Sequence, residues 1–209
     1  MKNLSIKKLL SLAFGALALL VLVVSLFALH GLSGANDRFS GYVHGAAERE
    51  SLATDVRTLA NRRAIGVRDM VLVKKDSDRQ SAKSMAVNAH AQLQVTLKSL
   101  NDAVSGAVDA NERERALVSA IGKIESQYGP VAVAIVELAA SGKQDEAVDK
   151  MNNECRPLLE ALLTAVGDYI RYSGEQAKLN VESSAIAYVS QRTMLVVISA
   201  FAVLLAVVL

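Results

Sequence analysis

Residues 117–138 read LVSAIGKIESQYGPVAVAIVEL, and this stretch decides the fold. Its larger apolar side chains recur at alternating steps of four and three, which places them in one stripe along an α-helix. A stripe with this period packs helices nearly parallel to one another, as in a helix bundle. The stripe consists of Leu117, Ile121, Ile124, Tyr128, Val131, Ile135 and Leu138.

Three further segments carry the same spacing of apolar side chains, so the body of the chain is predicted to form four helices. Short clusters of turn-forming residues separate these segments. The three segments are residues 52–73, 82–104 and 151–172, and the three clusters are residues 74–77, 105–109 and 141–142.

Capping residues and prolines refine the helix boundaries. Asp109 is followed three residues later by Glu112, a capping-box pattern that predicts a helix start at this point. Gly142 suits the left-handed conformation that often ends a helix. Pro130 and Pro157 fall inside predicted helices, so each is expected to kink its helix or to mark an irregular turn.

The lengths of the segments predict the architecture. Short connections place consecutive helices antiparallel to each other. The first and fourth helices, about 40 and 50 residues long, continue directly into apolar runs, whereas the second and third, about 30 residues each, lie between the turns. The predicted fold is all-α, an antiparallel up-down four-helix bundle whose two long helices are continuous with transmembrane helices.

Two uncharged apolar runs predict membrane helices. The first is as long as the roughly 20 residues that a membrane helix needs, and longer than the core of a signal peptide, about 7–15 residues. Lys2, Lys7 and Lys8 precede it, which predicts a cytoplasmic N-terminus. The second run reaches the last residue without a polar flank, so a cytoplasmic part is expected to follow. The predicted segments are a cytoplasmic tip (1–8), a transmembrane helix (9–29), a periplasmic four-helix-bundle domain (30–192) and the start of a second transmembrane helix (193–209).

Composition and motifs argue against several classes of function. The chain has 23 basic and 21 acidic residues, and three of the basic ones lie in the N-terminal tip, so the body is nearly neutral and nucleic-acid binding is not expected. The single cysteine, Cys155, forms no internal disulfide. No spacing suggests a catalytic triad, a phosphate loop or a metal site, so we expect neither an enzyme, nor a cofactor, nor a bound metal.

Four polar residues are predicted to share one level of the bundle. Each lies 13 residues from its distal turn, about 20 Å from the tip. The arginine among them presents a planar fork of donors that matches a carboxylate. The layer could therefore bind a carboxylate ligand, or it could be a closed network around a buried Arg63–Glu154 pair. The four residues are Arg63, His90, Tyr128 and Glu154.

Other arginines extend the candidate site. Arg62 and Arg68 fall on the flanks of the first helix, and Arg156 lies nearly opposite the apolar stripe of the fourth, so all three could equally belong to a solvated face. We expect a small anionic ligand, an organic acid or an amino acid, held by two or more arginines. The candidate ligand-binding residues are Arg62, Arg63, Arg68, His90, Tyr128 and Arg156.

Two stretches of sequence carry a resemblance to a known family. Residues 61–72, NRRAIGVRDMVL, and residues 153–159, NECRPLL, together with the lysine-rich tip and the membrane helix, resemble the sensor module of methyl-accepting chemotaxis receptors. The resemblance implies a homodimer in the inner membrane, with a small ligand in the membrane-distal half of its periplasmic domain. It also implies that a small displacement of the fourth helix passes the signal to cytoplasmic signalling proteins.

Two alternatives remain open. Sensor domains of this type also precede histidine kinases and diguanylate cyclases. A bundle without a small-molecule pocket could instead dock a periplasmic binding protein, in which case the polar layer would be a closed salt-bridge network.

Overall fold

The structure, a computed structural model, describes residues 6–208, and these residues form helices joined by short turns, with no strand among them. Two π-helical segments, Tyr42–Ala47 and Met151–Cys155, join α1 to α2 and α5 to α6. The four helices of the bundle are α2, α3, α4 and the combined α5–α6, which confirms the predicted all-α fold. The helices are α1 (Ile6–Gly41), α2 (Glu48–Leu72), α3 (Asp76–Gly106), α4 (Glu112–Ala140), α5 (Gln144–Lys150) and α6 (Arg156–Val208).

The turns of the bundle coincide with the predicted breaker clusters. They occupy residues 73–75, 107–111 and 141–143. Gly142 has a φ of +81°, so it adopts the left-handed conformation that the sequence predicted. Residues 1–5 of the predicted tip (1–8) and Leu209 lie outside the described residues.

The cap of α4 differs from the prediction. Asn111, not Asp109, is the N-cap, and its side-chain oxygen accepts a hydrogen bond of 3.0 Å from the backbone N–H of Glu114. Asp109 lies in the preceding turn, where its carboxylate accepts two hydrogen bonds from Arg49. The helix therefore begins two residues later than the capping-box pattern indicated, because the ion pair takes the carboxylate of Asp109.

Small side chains at the helix contacts shape the core. The predicted stripe of α4 is right at Ile121, Tyr128 and Ile135, which are fully buried. Its other members lie one residue away from the buried positions: Val118, Glu125, Ala132 and Ala139 are buried, whereas Leu117, Ile124, Val131 and Leu138 are only half-buried. On α2, Gly66 lies against α3 so closely that an added Cβ would be 2.7 Å from the backbone nitrogen of Ala86. Small residues such as Gly66 and Ala132 thus let the helices approach closely beside the larger buried side chains.

The irregularity predicted at Pro157 is present as a π-helical turn. The π segment Met151–Cys155 ends two residues before Pro157. Pro157 has no N–H and therefore cannot complete the regular hydrogen-bond ladder of the preceding turn. Pro130, in contrast, lies exposed on α4, and the α-helix continues through it.

The chain divides into two compact units. One comprises Val43–Gln176 and is the bundle; the other comprises Met1–Tyr42 and Ala177–Leu209. Within the second unit, Gly31 of α1 lies beside the side chain of Gln191, and Val23 shares an apolar cleft with Ile198, so the two helices run antiparallel.

Two helices are long and apolar enough to cross a membrane. They are continuous over Phe14–Leu72 and Gln144–Leu204, and no residue in the most apolar stretch of each is buried. Large apolar side chains there, such as Phe14 and Phe201, are more than half exposed. Such a surface is suited to lipid rather than to water.

Candidate functional site

The candidate site is a buried polar layer that crosses the bundle between α2, α3 and α4. We call it the Arg63 layer. Its centre is a two-fold ion pair, in which Arg63 Nη1 donates to Glu125 Oε1 at 2.7 Å and Nη2 donates to Oε2 at 2.6 Å. Both side chains are at most 2% exposed. The Arg63 layer comprises Arg63, His90, Gln94, Glu125 and Tyr128.

Two residues of α3 complete the polar contacts of the pair. Gln94 donates from Nε2 to Glu125 Oε1 at 2.8 Å, and His90 Nδ1 lies 2.9 Å from Arg63 Nη1. Because a guanidinium can only donate, Nδ1 must be the acceptor, so the neutral imidazole carries its proton on Nε2. Burial and the positive charge of Arg63 lower the pKa of His90, which favours this neutral form.

The ring of Tyr128 forms one wall of the layer. Arg63 Cζ lies 4.2 Å from the centre of this ring, a cation–π contact in a fully buried position. Burial raises the pKa of Tyr128 well above its usual range, so the hydroxyl stays protonated. The buried Cys155 Sγ lies 4.0 Å from this hydroxyl, and burial raises the pKa of its thiol.

The hydrogen bonds and the charges of the Arg63 layer show how much of its binding capacity is already used within the protein. Burial alone would lower the pKa of Arg63, but the hydrogen bonds and the charge of Glu125 raise it, so both partners are ionised and the layer is neutral. One donor is unsatisfied, since Arg63 Nε is buried without an acceptor. A carboxylate entering here would add an uncompensated buried charge, unless Glu125 moved away or His90 gained a proton.

An open cleft of about 580 Å³ reaches the edge of the layer between α3 and α4. Polar groups of His90, Gln94 and Glu125 contribute to its lining, and Pro130 and Val133 supply apolar surface. The cleft contains no arginine or lysine. It is therefore less suited to an anion than the arginines outside the layer.

The structure brings together some of the predicted site residues but not others. Arg63, His90 and Tyr128 meet in one layer as predicted. Arg62, Arg68 and Arg156 are exposed, and Arg68 lies 3.7 Å from the neighbouring Asp69. These three stay outside the layer, and ligand binding by any of the six remains a prediction.

The expected acid partner of Arg63 was wrong. Glu154 is exposed and pairs with Lys150 one turn earlier, at 2.9 Å. Glu125 is the acid partner of Arg63 instead, because α4 is rotated about its axis so that Glu125, and not the neighbouring Ile124, faces α2. One signal in the sequence is that Glu125 lies three residues before Tyr128, on the same helix face.

A second polar network, which the sequence interpretation missed, ties the other end of the bundle together. We call it the Arg49 layer. Arg49 Nε donates to Glu114 Oε1 at 2.9 Å, and its two Nη atoms donate to the carboxylate of Asp109 at 3.2 and 2.8 Å. The arginine hydrogen bond holds the pKa of Asp109 below its usual range. The Arg49 layer comprises Arg49, Asp109, Asn111, Glu114, Tyr169 and Tyr172.

A signal for this layer was present in the sequence. Arg49 lies fourteen residues before Arg63, or about four helical turns, and therefore on nearly the same face of the helix. Glu114 and Glu125 are likewise eleven residues apart, or about three turns, on α4. The repeated arginine on one stripe and glutamate on another predicts two ion-pair layers.

No group of three or more histidine, cysteine or acidic side chains among the described residues could hold a metal ion. The buried charges are instead arranged as arginine–glutamate pairs between helices that form one bundle, and the two longest helices extend into apolar stretches. These features define the class of protein as a four-helix bundle with two candidate membrane helices.

Comparison with protein families agrees with this class. The family model described as a four helix bundle sensory module for signal transduction matches residues 3–188. The chain therefore belongs to the family of four-helix-bundle sensory modules of methyl-accepting chemotaxis proteins. A search of curated proteins found no match.

Proposed function

We propose that the chain is the sensing part of a transmembrane chemoreceptor that detects a small anion, an organic acid or an amino acid, in the periplasm. The bundle binds the ligand, and α6 and the second membrane helix carry the signal to a cytoplasmic output. The observation that carries this proposal is the set of exposed arginines on α2, beside a buried layer whose own arginine is already paired. No catalytic role is proposed.

The proposed topology has four segments in the order given by the sequence. Residues 1–8 lie in the cytoplasm, residues 9–29 cross the inner membrane, residues 30–192 form the periplasmic domain and residues 193–209 begin the second crossing. The contact between Gly31 and Gln191 supports this assignment, because it places the outer ends of both apolar runs at one level of the second unit. Lys7, exposed before the first run, fits the cytoplasmic side.

The proposed ligand site lies on the outer face of α2. Arg62 and Arg68 are six residues apart and therefore about 120° apart around the helix, with Ile65 between them. Ile65 is 42% exposed and Leu72, on the same face, is 64% exposed. An apolar strip flanked by arginines is suited to contact with a second copy and, in the same place, to binding a carboxylate.

A homodimer built on this face would use the same strip from each copy. Four guanidinium groups would then surround two copies of Ile65, and their mutual repulsion would oppose association without a counter-ion. A ligand with one or two carboxylates would relieve that repulsion and hold the two α2 helices together. Binding and dimerisation are therefore expected to strengthen each other.

The Arg63 layer lies at the same level on the other side of α2, since Arg62 and Arg63 are consecutive residues and Arg63 is about 160° from Ile65 around the helix. Its closed ion pair holds α2 against α4, and Tyr128 extends the contact to Cys155, in the π-helical segment just before α6. A change at Arg62 therefore has a short path to α6. From there a continuous helix, Arg156–Val208, leads into the second apolar stretch.

The test is a thermal-shift screen of the whole chain in detergent, in which circular dichroism monitors the unfolding. Succinate, citrate, aspartate and benzoate serve as anionic ligands, and ribose and glycerol as neutral controls. A ligand at a hundredfold excess over its Kd stabilises the folded state by about 2.7 kcal/mol, a shift of several degrees. We expect a shift for at least one carboxylate and none for the neutral compounds.

Variants locate the binding site. Arg62→Ala and Arg68→Ala should each abolish the shift, whereas Lys83→Ala, which removes an exposed charge from α3, should preserve it. A screen that stays flat for all carboxylates would contradict the proposal. It would favour a bundle that docks a periplasmic binding protein instead.

A further inference from the structure

Three hydrogen bonds concentrate on one turn of α6. Each connects a side chain of α6 with a different part of the bundle: the start of α2, the cap of α4 and the first turn of α4. The bonds are Ser173 Oγ to Glu50 Oε2 at 3.1 Å, Asn111 Nδ2 to Tyr172 Oη at 2.5 Å, and Tyr169 Oη to Glu114 Oε1 at 3.0 Å.

The partners of these bonds are themselves held firmly. Glu114 accepts a second bond from Arg49 Nε, and all three nitrogens of that guanidinium are hydrogen-bonded. Asn111 caps α4 through its oxygen while its nitrogen donates to Tyr172. The bonds of Tyr169 and Tyr172 therefore start from side chains that are themselves held by second hydrogen bonds.

The polar restraint of the fourth bundle helix is weaker in the Arg63 layer. There its contribution is Cys155, whose Sγ lies 4.0 Å from the hydroxyl of Tyr128. The side chains of Leu162 and Val166, between the two layers, pack in the apolar core. Apolar contacts tolerate a small slide, because they have no preferred direction, whereas hydrogen bonds have a narrow range of length and angle.

We infer that Tyr169, together with Tyr172 and Ser173, forms a latch that fixes the position of α6 along its axis and must open before α6 can slide. Helix shifts in signalling proteins are about 1–2 Å. A 2 Å slide perpendicular to the 3.0 Å bond of Tyr169 would lengthen it to about 3.6 Å, beyond the limit of about 3.5 Å. Tyr169 and its partners are thus positioning residues that set how readily α6 moves.

Only the effect of the latch on signalling rests on the proposed function of α6; the latch itself does not. The latch itself is measured without ligand, so its failure can be told apart from failure of the proposed ligand site. The test uses the whole chain in lipid nanodiscs with the background change Cys155→Ala. Spin labels are attached after the exposed changes Ser119→Cys on α4 and Glu175→Cys on α6.

This label pair detects a slide of α6. Ser119 lies on one side of the level of the latch and Glu175 on the other, about 16 Å apart along the bundle axis. We expect Tyr169→Phe, which removes only the hydroxyl, to broaden the distance distribution or to shift it by about 1–2 Å. Amide hydrogens around Tyr169 should also exchange about fivefold faster, as expected for the loss of one hydrogen bond.

The matched control is Tyr188→Phe, which removes an exposed tyrosine hydroxyl from the same helix and should change neither quantity. If Tyr169→Phe lowers the melting temperature but leaves the distance distribution as narrow as in the parent, the Arg49 layer is only structural and the inference is overturned. If Tyr169→Phe does not fold, Ser173→Ala breaks the most peripheral bond and is judged by the same two outcomes.

Discussion

The ion pair at the centre of the Arg63 layer gives the most informative stability prediction. Glu125→Leu removes the carboxylate and leaves a guanidinium that is 1% exposed without its counter-ion. Two short charge-assisted hydrogen bonds, of 2.6 and 2.7 Å, are lost, and Gln94 loses its acceptor. Arg63 Nε already has no acceptor, so the arginine would retain only the contacts to His90 and to the ring of Tyr128.

Breaking a buried pair on one side costs about 3–5 kcal/mol, because the remaining charge is uncompensated. A domain of this size loses roughly 4 °C of melting temperature per kcal/mol, so Glu125→Leu should lower the Tm by about 12–20 °C. Replacing both partners removes the buried charges altogether. The double variant Arg63→Met with Glu125→Leu should therefore recover most of the loss, and end within about 5 °C of the parent.

The assay is thermal unfolding of the whole chain, monitored by circular dichroism at the helix band, with all variants in the same detergent. The large loss in the single variant and the recovery in the double variant are both required. A single variant that loses less than about 1 kcal/mol would refute the reasoning, since Arg63 would then find water or another partner. A double variant as unstable as the single one would refute it as well.

Three further predictions follow from packing and protonation. Gly66→Ala should destabilise the bundle by about 1–3 kcal/mol, because the new Cβ would lie 2.7 Å from a backbone atom of α3. Gly122→Ala is the matched control: its new Cβ would have no neighbour within 4 Å, so the change should be neutral or stabilise the bundle by up to about 1 kcal/mol. Equal effects of the two changes in thermal unfolding would contradict the packing. Burial and the charge of Arg63 lower the pKa of His90 from 6.5, so the folded state binds fewer protons than the unfolded state below that pH. The free energy of unfolding should therefore fall as the pH drops below about 6.5, and less so in His90→Asn, when urea titrations are compared at pH 7.5 and 5.5. Cys155 is buried with a raised thiol pKa, so a disulfide reagent should modify it only as urea opens the bundle, and rapid modification of the native chain would contradict its placement.

The sequence was informative about the fold because the fold depends on period and on turn chemistry. The spacing of apolar residues located the four helices, and Gly142 ended α4 as its conformational freedom predicted. The phase of α4 could be read only in part. Ile121, Tyr128 and Ile135 are buried as predicted, but the other buried positions lie one residue from the predicted ones, because close packing favours small residues such as Ala132 and Ala139 at the contact.

The rotation of α4 about its axis also explains why the acid partner of Arg63 was predicted wrongly. Counting residues from the tip placed Arg63, His90 and Tyr128 correctly at one level, because helical rise is regular. The acid partner depends on which way α4 faces, and that is decided by the sum of many contacts rather than by any local signal. Glu125 was therefore missed, although it lies on a mostly apolar buried stripe of α4.

The central claim is that the outer arginines of α2, and not the buried Arg63 layer, bind the anion. Isothermal titration of the whole chain with the most stabilising carboxylate tests it directly by comparing two double variants, Arg62→Ala with Arg68→Ala, and Arg63→Met with Glu125→Leu. We predict that the first loses binding and that the second retains it within about tenfold of the parent Kd, or about 1.4 kcal/mol. Retained binding in the first and lost binding in the folded second would contradict the account and place the ligand inside the layer.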